Sequence, residues 1–150
     1  MSRIDEALLD EHLAAENEHD LDRIMSTYGA QPSMVVNGQR IEGEPAIREF
    51  HRSFGFAGGD ASFSDVHVTE RTRHRAGEAI IIEQTLSGVH TGAWMRHEAT
   101  GRAFEVAVCT VYLFDDDGML AGEHVYFDRA RMERQLTGGP AAQPDERPTR

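Results

Sequence analysis

The chain has 150 residues and a formal net charge of −11, from 26 acidic against 15 basic side chains, and every basic one is arginine. The absence of lysine excludes Schiff-base catalysis through lysine, and so acidic a composition argues against nucleic acid, whose phosphates need net basic patches. No apolar run approaches the ~20 residues that cross a bilayer, and the charged start Met1-Ser-Arg-Ile-Asp-Glu-Ala lacks the apolar core of a signal peptide. A single cysteine, Cys109, cannot make an internal disulfide. The expectation is one compact cytoplasmic domain with neither membrane nor nucleic-acid partners.

Ile4, Leu8, Leu9, His12 and Leu13 recur at helical spacing and predict a helix over 4–17. A shorter helix over 19–28 carries Leu21, Ile24 and Met25. Asn37-Gly38 is a strong signal for a tight hairpin, which places short strands at 33–37 and 40–42. Gly43-Glu-Pro45 opens a third helix through Ala46, Ile47, Phe50 and Phe54, with the proline suited to a first turn. Gly55 to Gly59 ends it. Strands over 62–73 and 78–89 follow, then 101–114 and 119–128 joined by the turn Asp115-Asp-Asp-Gly118, then a helix over 129–136. The polar, Pro/Gly-containing segment 137–150 is expected to be a disordered tail, leaving a domain over 1–136. Helices segregated from a run of antiparallel strands describe an α+β fold, here a curved sheet with helices on its concave side forming a cone around a pocket.

The period of two in a strand sorts the faces of the last hairpin. Pairing Leu113 with Leu120 sets Cys109 against His124, Ala107 against Tyr126 and Glu105 against Asp128. That register gathers two acids, a histidine and a tyrosine among small residues, which reads as a pocket wall. Phe104, Val106, Val108, Tyr112, Val125 and Phe127 then form the opposite, packing face. A shift by one residue would separate Glu105 from Asp128, and Asp128 has a second reading as N-cap of the helix it precedes. Cys109, mid-strand between Val108 and Thr110, reads as a small core residue rather than a nucleophile.

The stretches Glu83-Gln-Thr-Leu-Ser-Gly-Val-His-Thr-Gly92, Ala99-Thr-Gly-Arg102, Phe114-Asp-Asp-Asp-Gly118 and Glu123-His-Val-Tyr-Phe-Asp128, with Gln135-Leu136, resemble the SnoaL-like polyketide cyclases and ester cyclases. These belong to the nuclear-transport-factor-2-like superfamily of α+β cones, and Gly43-Glu-Pro-Ala-Ile-Arg-Glu-Phe50 is similar to the matching segment there. The resemblance covers 4–136. It implies a general acid/base carboxylate at the end of the last strand, matched by Asp128, and a Gly-x-His-x-Gly segment that makes His90 a second catalytic candidate. Glu83 stands where relatives often carry an acid. Arg96-His-Glu-Ala99 replaces a double proline of many ester cyclases. Asn37 stands in the region where ketosteroid isomerases carry their aspartate base, which counts against steroid isomerisation, and no Asp-Arg-Asp set of the epoxide hydrolases can be placed.

Glu16-Asn-Glu-His19 has a carboxylate di-metal spacing, but the helices are too few and short, and a solvated helix junction is expected. His67, His74 and His97 show no ligand spacing. Gly55-Phe-Ala-Gly-Gly59 lacks the lysine of a phosphate loop, Asp115-Asp-Asp-Gly118 lacks the later ligands of a calcium loop, and Arg71-Thr-Arg-His-Arg75 reads as an exposed strand end. The expectation is therefore a cofactor-independent, metal-free enzyme acting on a small apolar carbonyl compound by aldol-type cyclisation, isomerisation or elimination. Asp128 and His90 would be catalytic, and Glu83, Glu105, His124, Tyr126, Cys109 and Trp94 would line the pocket. A non-catalytic binding or assembly module is the alternative. The apolar face of the hairpin, left without a covering helix, predicts a homodimer centred on Val106 and Phe127.

Overall fold

The computed structural model describes residues 3–139. The tail expected beyond Leu136 falls mostly outside the described residues. Along the chain run α1 (Glu6–Asn17), α2 (Leu21–Ser26), β1 (Tyr28–Val36), β2 (Gln39–Glu42), α3 (Glu44–Phe54), β3 (Phe63–Ala76), β4 (Ala79–His90), β5 (Ala103–Phe114), β6 (Leu120–Phe127) and α4 (Arg129–Thr137). The α+β order is the predicted one.

Three helices start by the same device. Asp5, Asp20 and Asp128 each accept a hydrogen bond from the backbone N–H three residues on, at 3.0, 3.1 and 2.9 Å. Each aspartate satisfies a donor that the first helical turn leaves without a partner. The start of α3 relies instead on Gly43, at φ 86°, and on Pro45 in its first turn.

One sheet of six strands runs in the order β2-β1-β6-β5-β4-β3. Asn37 and Gly38, at φ 48° and 85°, make the tight β1–β2 hairpin turn. All neighbours are antiparallel except β1 and β6. That parallel pairing, which the sequence did not reveal, brings β1 beside β6 in the body of the sheet. Asn37 clamps the pair: its backbone N–H donates to Val125 O at 2.9 Å and its Oδ1 accepts from Phe127 N at 2.9 Å. At the far edge, the Asn17 amide imitates a strand neighbour, giving a bond to Val68 O at 2.9 Å and taking one from Val68 N at 2.8 Å. His19 Nε2 donates to Val66 O at 2.7 Å. These contacts pin the α1–α2 junction to β3, so the junction expected to be solvated is instead docked and Glu16 is buried.

The β5–β6 register differs from the expected one. Cys109 pairs with Tyr126, Val111 with His124 and Leu113 with Gly122, while an irregularity next to Leu113 lets Phe114 pair with Leu120. Glu105 has no partner on β6, and its neighbour on β4 is Ser87. A two-residue displacement leaves side chains on their own faces, so the error lies in which face was taken as inner. β5 buries Phe104, Val106, Val108, Thr110, Tyr112 and Phe114, and exposes Ala103, Glu105 and Ala107. The stripes that α1 and α3 present at helical spacing, Leu9, His12 and Glu16 on one and Ile47, His51 and Phe54 on the other, are buried too. A sheet covered by helices on one side alternates apolar-in and polar-out, which makes the acidic, small-residue face the outer one. Val106 is buried and Phe127 packs against the core, so the predicted homodimer loses the surface from which it was argued.

Candidate active site: a buried imidazole–carboxylate floor beneath an apolar vestibule

Four side chains from three elements converge on one point inside the cone. His12 and Glu16 are one turn apart on α1, His51 comes from α3 and Glu123 from β6, and all four are buried. Tyr28 on β1 and Tyr112 on β5 flank them, with the His12 ring 5.5 Å from Tyr28 and 6.0 Å from Tyr112.

The hydrogen bonds around the histidines fix their tautomers. Thr27 Oγ1 donates to Ile24 O at 2.6 Å, so toward His12 Nδ1, 2.8 Å away, it can only accept. His51 Nδ1 faces Ile47 O at 2.8 Å, and a carbonyl also only accepts. Both Nδ1 atoms therefore carry hydrogen, and both Nε2 atoms point at the carboxylates. His12 Nε2 lies 3.2 Å from Glu16 Oε1 and 3.6 Å from Glu123 Oε2; His51 Nε2 lies 3.7 Å from the same Glu16 oxygen. Neither Nε2 makes a well-aligned hydrogen bond. Glu123 accepts one from the Tyr28 hydroxyl.

Burial opposes a charge on His12, but the attraction of Glu16 and the acceptor oxygens of Glu123 and Glu16 outweigh it and raise its pKa to about 10. Burial likewise pushes Glu16 up, and the charge of His12 with contacts to both histidines more than offsets it, leaving the carboxyl below the usual range. Burial first, and then the charge of Glu123, holds both tyrosines well above the phenol range. Tyr112 OH accepts from Gln84 Nε2 at 3.4 Å, and Thr110 in turn donates to Gln84 Oε1 at 3.1 Å.

Glu16, His51, Gln84, Thr110, Tyr112 and Glu123 line a chamber of about 50 Å³ whose other walls are apolar. Val36, Phe50, Phe54 and Phe127 line both this chamber and a wider vestibule of about 720 Å³, whose apolar walls also include Trp94 and Met95 and which carries Asn37, Gln39, Asp128, Arg129 and Glu133 as its polar part. His12 lies behind Glu16, outside the chamber lining.

The residues chosen from the sequence lie elsewhere. Asp128 is exposed at the vestibule rim and caps α4, the second of its two readings. His90 is buried beside Phe63; its Nδ1 accepts from Thr100 N at 3.3 Å, which anchors the loop after β4 and keeps it off the chamber. Trp94 packs on Phe63 at 5.5 Å and lines the vestibule. Glu83, Cys109 and Tyr126 do come together, but in a shallow depression on the outer face, where Tyr126 is 46% exposed and Glu83 pairs with His74 at 2.8 Å. Glu105 is exposed and His124, half-buried, pairs with Val111 on that same side. All five lie on the outward face of β4, β5 and β6, where Glu83 pairs with Cys109 and Cys109 with Tyr126. Of the floor, only His12 and Glu16 had been singled out, one as a helix-periodic residue and the other for the wrong spacing. Their signal was a histidine at an apolar position with a glutamate four residues later, and Glu123 in step with Val125 and Phe127.

The placement of Asp128 makes a simple prediction. Asp128→Asn retains an N-cap acceptor and should change stability by only a few tenths of a kcal/mol, whereas Asp128→Ala should cost about 1 kcal/mol. Urea denaturation of the two variants measures the difference, and equal costs would remove the capping role.

The sequence matches the family model of the SnoaL-like polyketide cyclases over residues 7–136. No curated protein matches it significantly. Among solved structures, TsrD from Streptomyces laurentii superposes with a TM-score of 0.73 at 24% identity, covering 87% of this chain and 92% of that one. An LEH-like epoxide hydrolase from M. tuberculosis gives 0.67 at 20% identity, with 89% of each chain covered. An NTF2-like protein from Exiguobacterium sp. 255-15 gives 0.65 at 17% identity over 81% of this chain and 98% of that one. At these identities the structural likeness establishes the cone fold, while the family model spans nearly the whole described domain: the chain belongs to the SnoaL-like polyketide cyclase family.

Proposed function

We propose that the protein is a cyclase- or isomerase-type enzyme that removes a proton beside a carbonyl, with the buried floor as its acid/base machinery in place of Asp128 and His90. The observation that carries this reading is the convergence of His51, Glu16, Glu123 and Tyr112 on one small chamber at the bottom of an apolar space. His51 is the base. Its Nδ1–H is committed to Ile47 O, so Nε2 is the atom that takes the proton, and the Glu16 carboxylate 3.7 Å away stabilises the imidazolium that forms. Tyr112 has its oxygen held by Gln84 and its hydrogen left to donate to the developing enolate oxygen. Membership of the SnoaL-like polyketide cyclase family supports this class of chemistry.

The volumes describe the substrate. A chamber of about 50 Å³ holds one small group, since a single water in a liquid occupies about 30 Å³. The vestibule, at about 720 Å³, falls in the range of pockets for drug-sized ligands, ~300–1,000 Å³. The ligand is therefore a largely apolar body lying against Phe50, Phe54, Phe127 and Trp94, which passes one carbonyl-bearing end inward. Proton exchange in D2O tests the chemistry without the natural substrate. Incubated with aryl methyl ketones and 1,3-diketones, the protein should catalyse deuterium incorporation beside the carbonyl, followed by NMR. Ketones that bind the vestibule without any catalysed exchange would favour the binding-module alternative.

A further inference from the structure

We infer that the floor is also a binding site for one divalent transition-metal cation, Zn2+ being the type, held by His12 Nε2, His51 Nε2, Glu16 and Glu123. The geometry fits. Four-coordinate zinc has bonds of about 2.0–2.2 Å to nitrogen and oxygen, which places donors about 3.3–3.6 Å apart. Three donor separations here are 3.2, 3.6 and 3.7 Å, and one ligand atom from each of the four residues lies within 4.8 Å of all the others. Each imidazole points its buried Nε2 inward at the carboxylates without a well-aligned hydrogen bond, and buried polar atoms so placed call for an explanation.

The surroundings are those of a metal site as well. A ligating histidine usually gives its other N–H to a carbonyl or a similar acceptor, which sets the tautomer and aims the ring. His51 does so to Ile47 O and His12 to Thr27 Oγ1, while Tyr28 holds Glu123. With both imidazoles deprotonated, as cation binding requires, the two carboxylates leave a formal charge of −2, which a divalent cation cancels inside a water-poor core. Imidazole and carboxylate together suit zinc and its first-row neighbours over magnesium or calcium. The exposed His74–Glu83 pair lacks a third ligand within reach among the described residues.

This goes beyond the proton-transfer reading, because proton and cation compete for the same Nε2 atoms. With four protein donors the bound cation would be coordinatively closed, and His51 Nε2, taken up by it, would no longer serve as base.

Chelator-treated protein titrated with Co2+ and Zn2+ decides it. One Co2+ per chain should bind and show the intense visible bands of four-coordinate cobalt, and Zn2+ should displace it while raising the melting temperature. His51→Gln and Glu123→Gln should each weaken binding at least tenfold, with folding checked by circular dichroism, whereas His74→Ala should leave it unchanged. Absence of stoichiometric binding, or binding undiminished in both floor variants, overturns the inference. Ketone exchange by the chelated protein is recorded alongside. Exchange without metal binding would sink the cation site and leave the proposed function standing, and metal binding without exchange would do the reverse.

Discussion

His51→Gln should lower the rate of ketone deuterium exchange by about 10²–10⁴-fold, the usual contribution of a positioned general base. Glutamine can still donate to Ile47 O, so the helix-side contact at 2.8 Å has a substitute. What it lacks is a nitrogen lone pair at the Nε2 position. Phe54, Phe127 and Trp94 on the vestibule walls make no ring contact with His51, and Phe50, which meets it edge-on at 5.8 Å, keeps its stacking on Phe54. Affinity for an aryl ketone, measured by fluorescence of the single tryptophan, Trp94, should therefore stay within about threefold while turnover collapses, a pattern that marks loss of a transition-state interaction rather than of binding. Asp128→Asn is the companion measurement and should exchange at the wild-type rate. A slow Asp128→Asn beside a fast His51→Gln would return the chemistry to the rim and refute the floor.

The element order was legible because each signal was local. The Asn37-Gly38 turn, the Gly55 to Gly59 break and the capping reading of Asp128 act within a few residues and fall where predicted, whereas α1 and α2 start two residues later than expected and β1 begins at Tyr28 rather than 33. The sheet order was not, because the parallel pairing of β1 with β6 joins residues about 90 positions apart, as in Asn37 and Phe127. The buried floor was hidden in the sequence for a related reason. Alternation shows that a strand has two faces but not which one a helix will cover, and the polar face of β5–β6 carried the more conspicuous residues. Glu123 illustrates the difficulty: it stands in the same alternating series as Val125 and Phe127, so the series was read as packing surface when it was the chamber wall. His51 likewise occupies the inner stripe of α3 with Ile47 and Phe54. Buried polar residues among apolar ones are hidden by the periodicity that places them, and only their convergence from distant elements exposes them.

That convergence predicts a large stability effect at His12. Its Nε2 is the cationic partner near both carboxylates, 3.2 Å from Glu16 and 3.6 Å from Glu123. Replacing it with leucine, similar in volume, leaves two buried acids facing each other without that cation. Breaking a buried ion pair from one side costs about 3–5 kcal/mol, a large share of the ~5–15 kcal/mol that stabilises a typical domain. Adding Glu16→Gln to His12→Leu should recover at least half of that cost, because it removes one of the uncompensated charges while keeping a polar group of the same shape. Urea midpoints of the wild type, the two single variants and the double variant form a cycle that isolates the coupling. If His12→Leu cost less than about 1 kcal/mol, or if the two losses simply added, the floor would not be the charged network described here. A packing defect at His12 cannot mimic the expected result, since a second substitution would deepen such a defect, and only relief of a buried charge makes the double variant more stable than the single one.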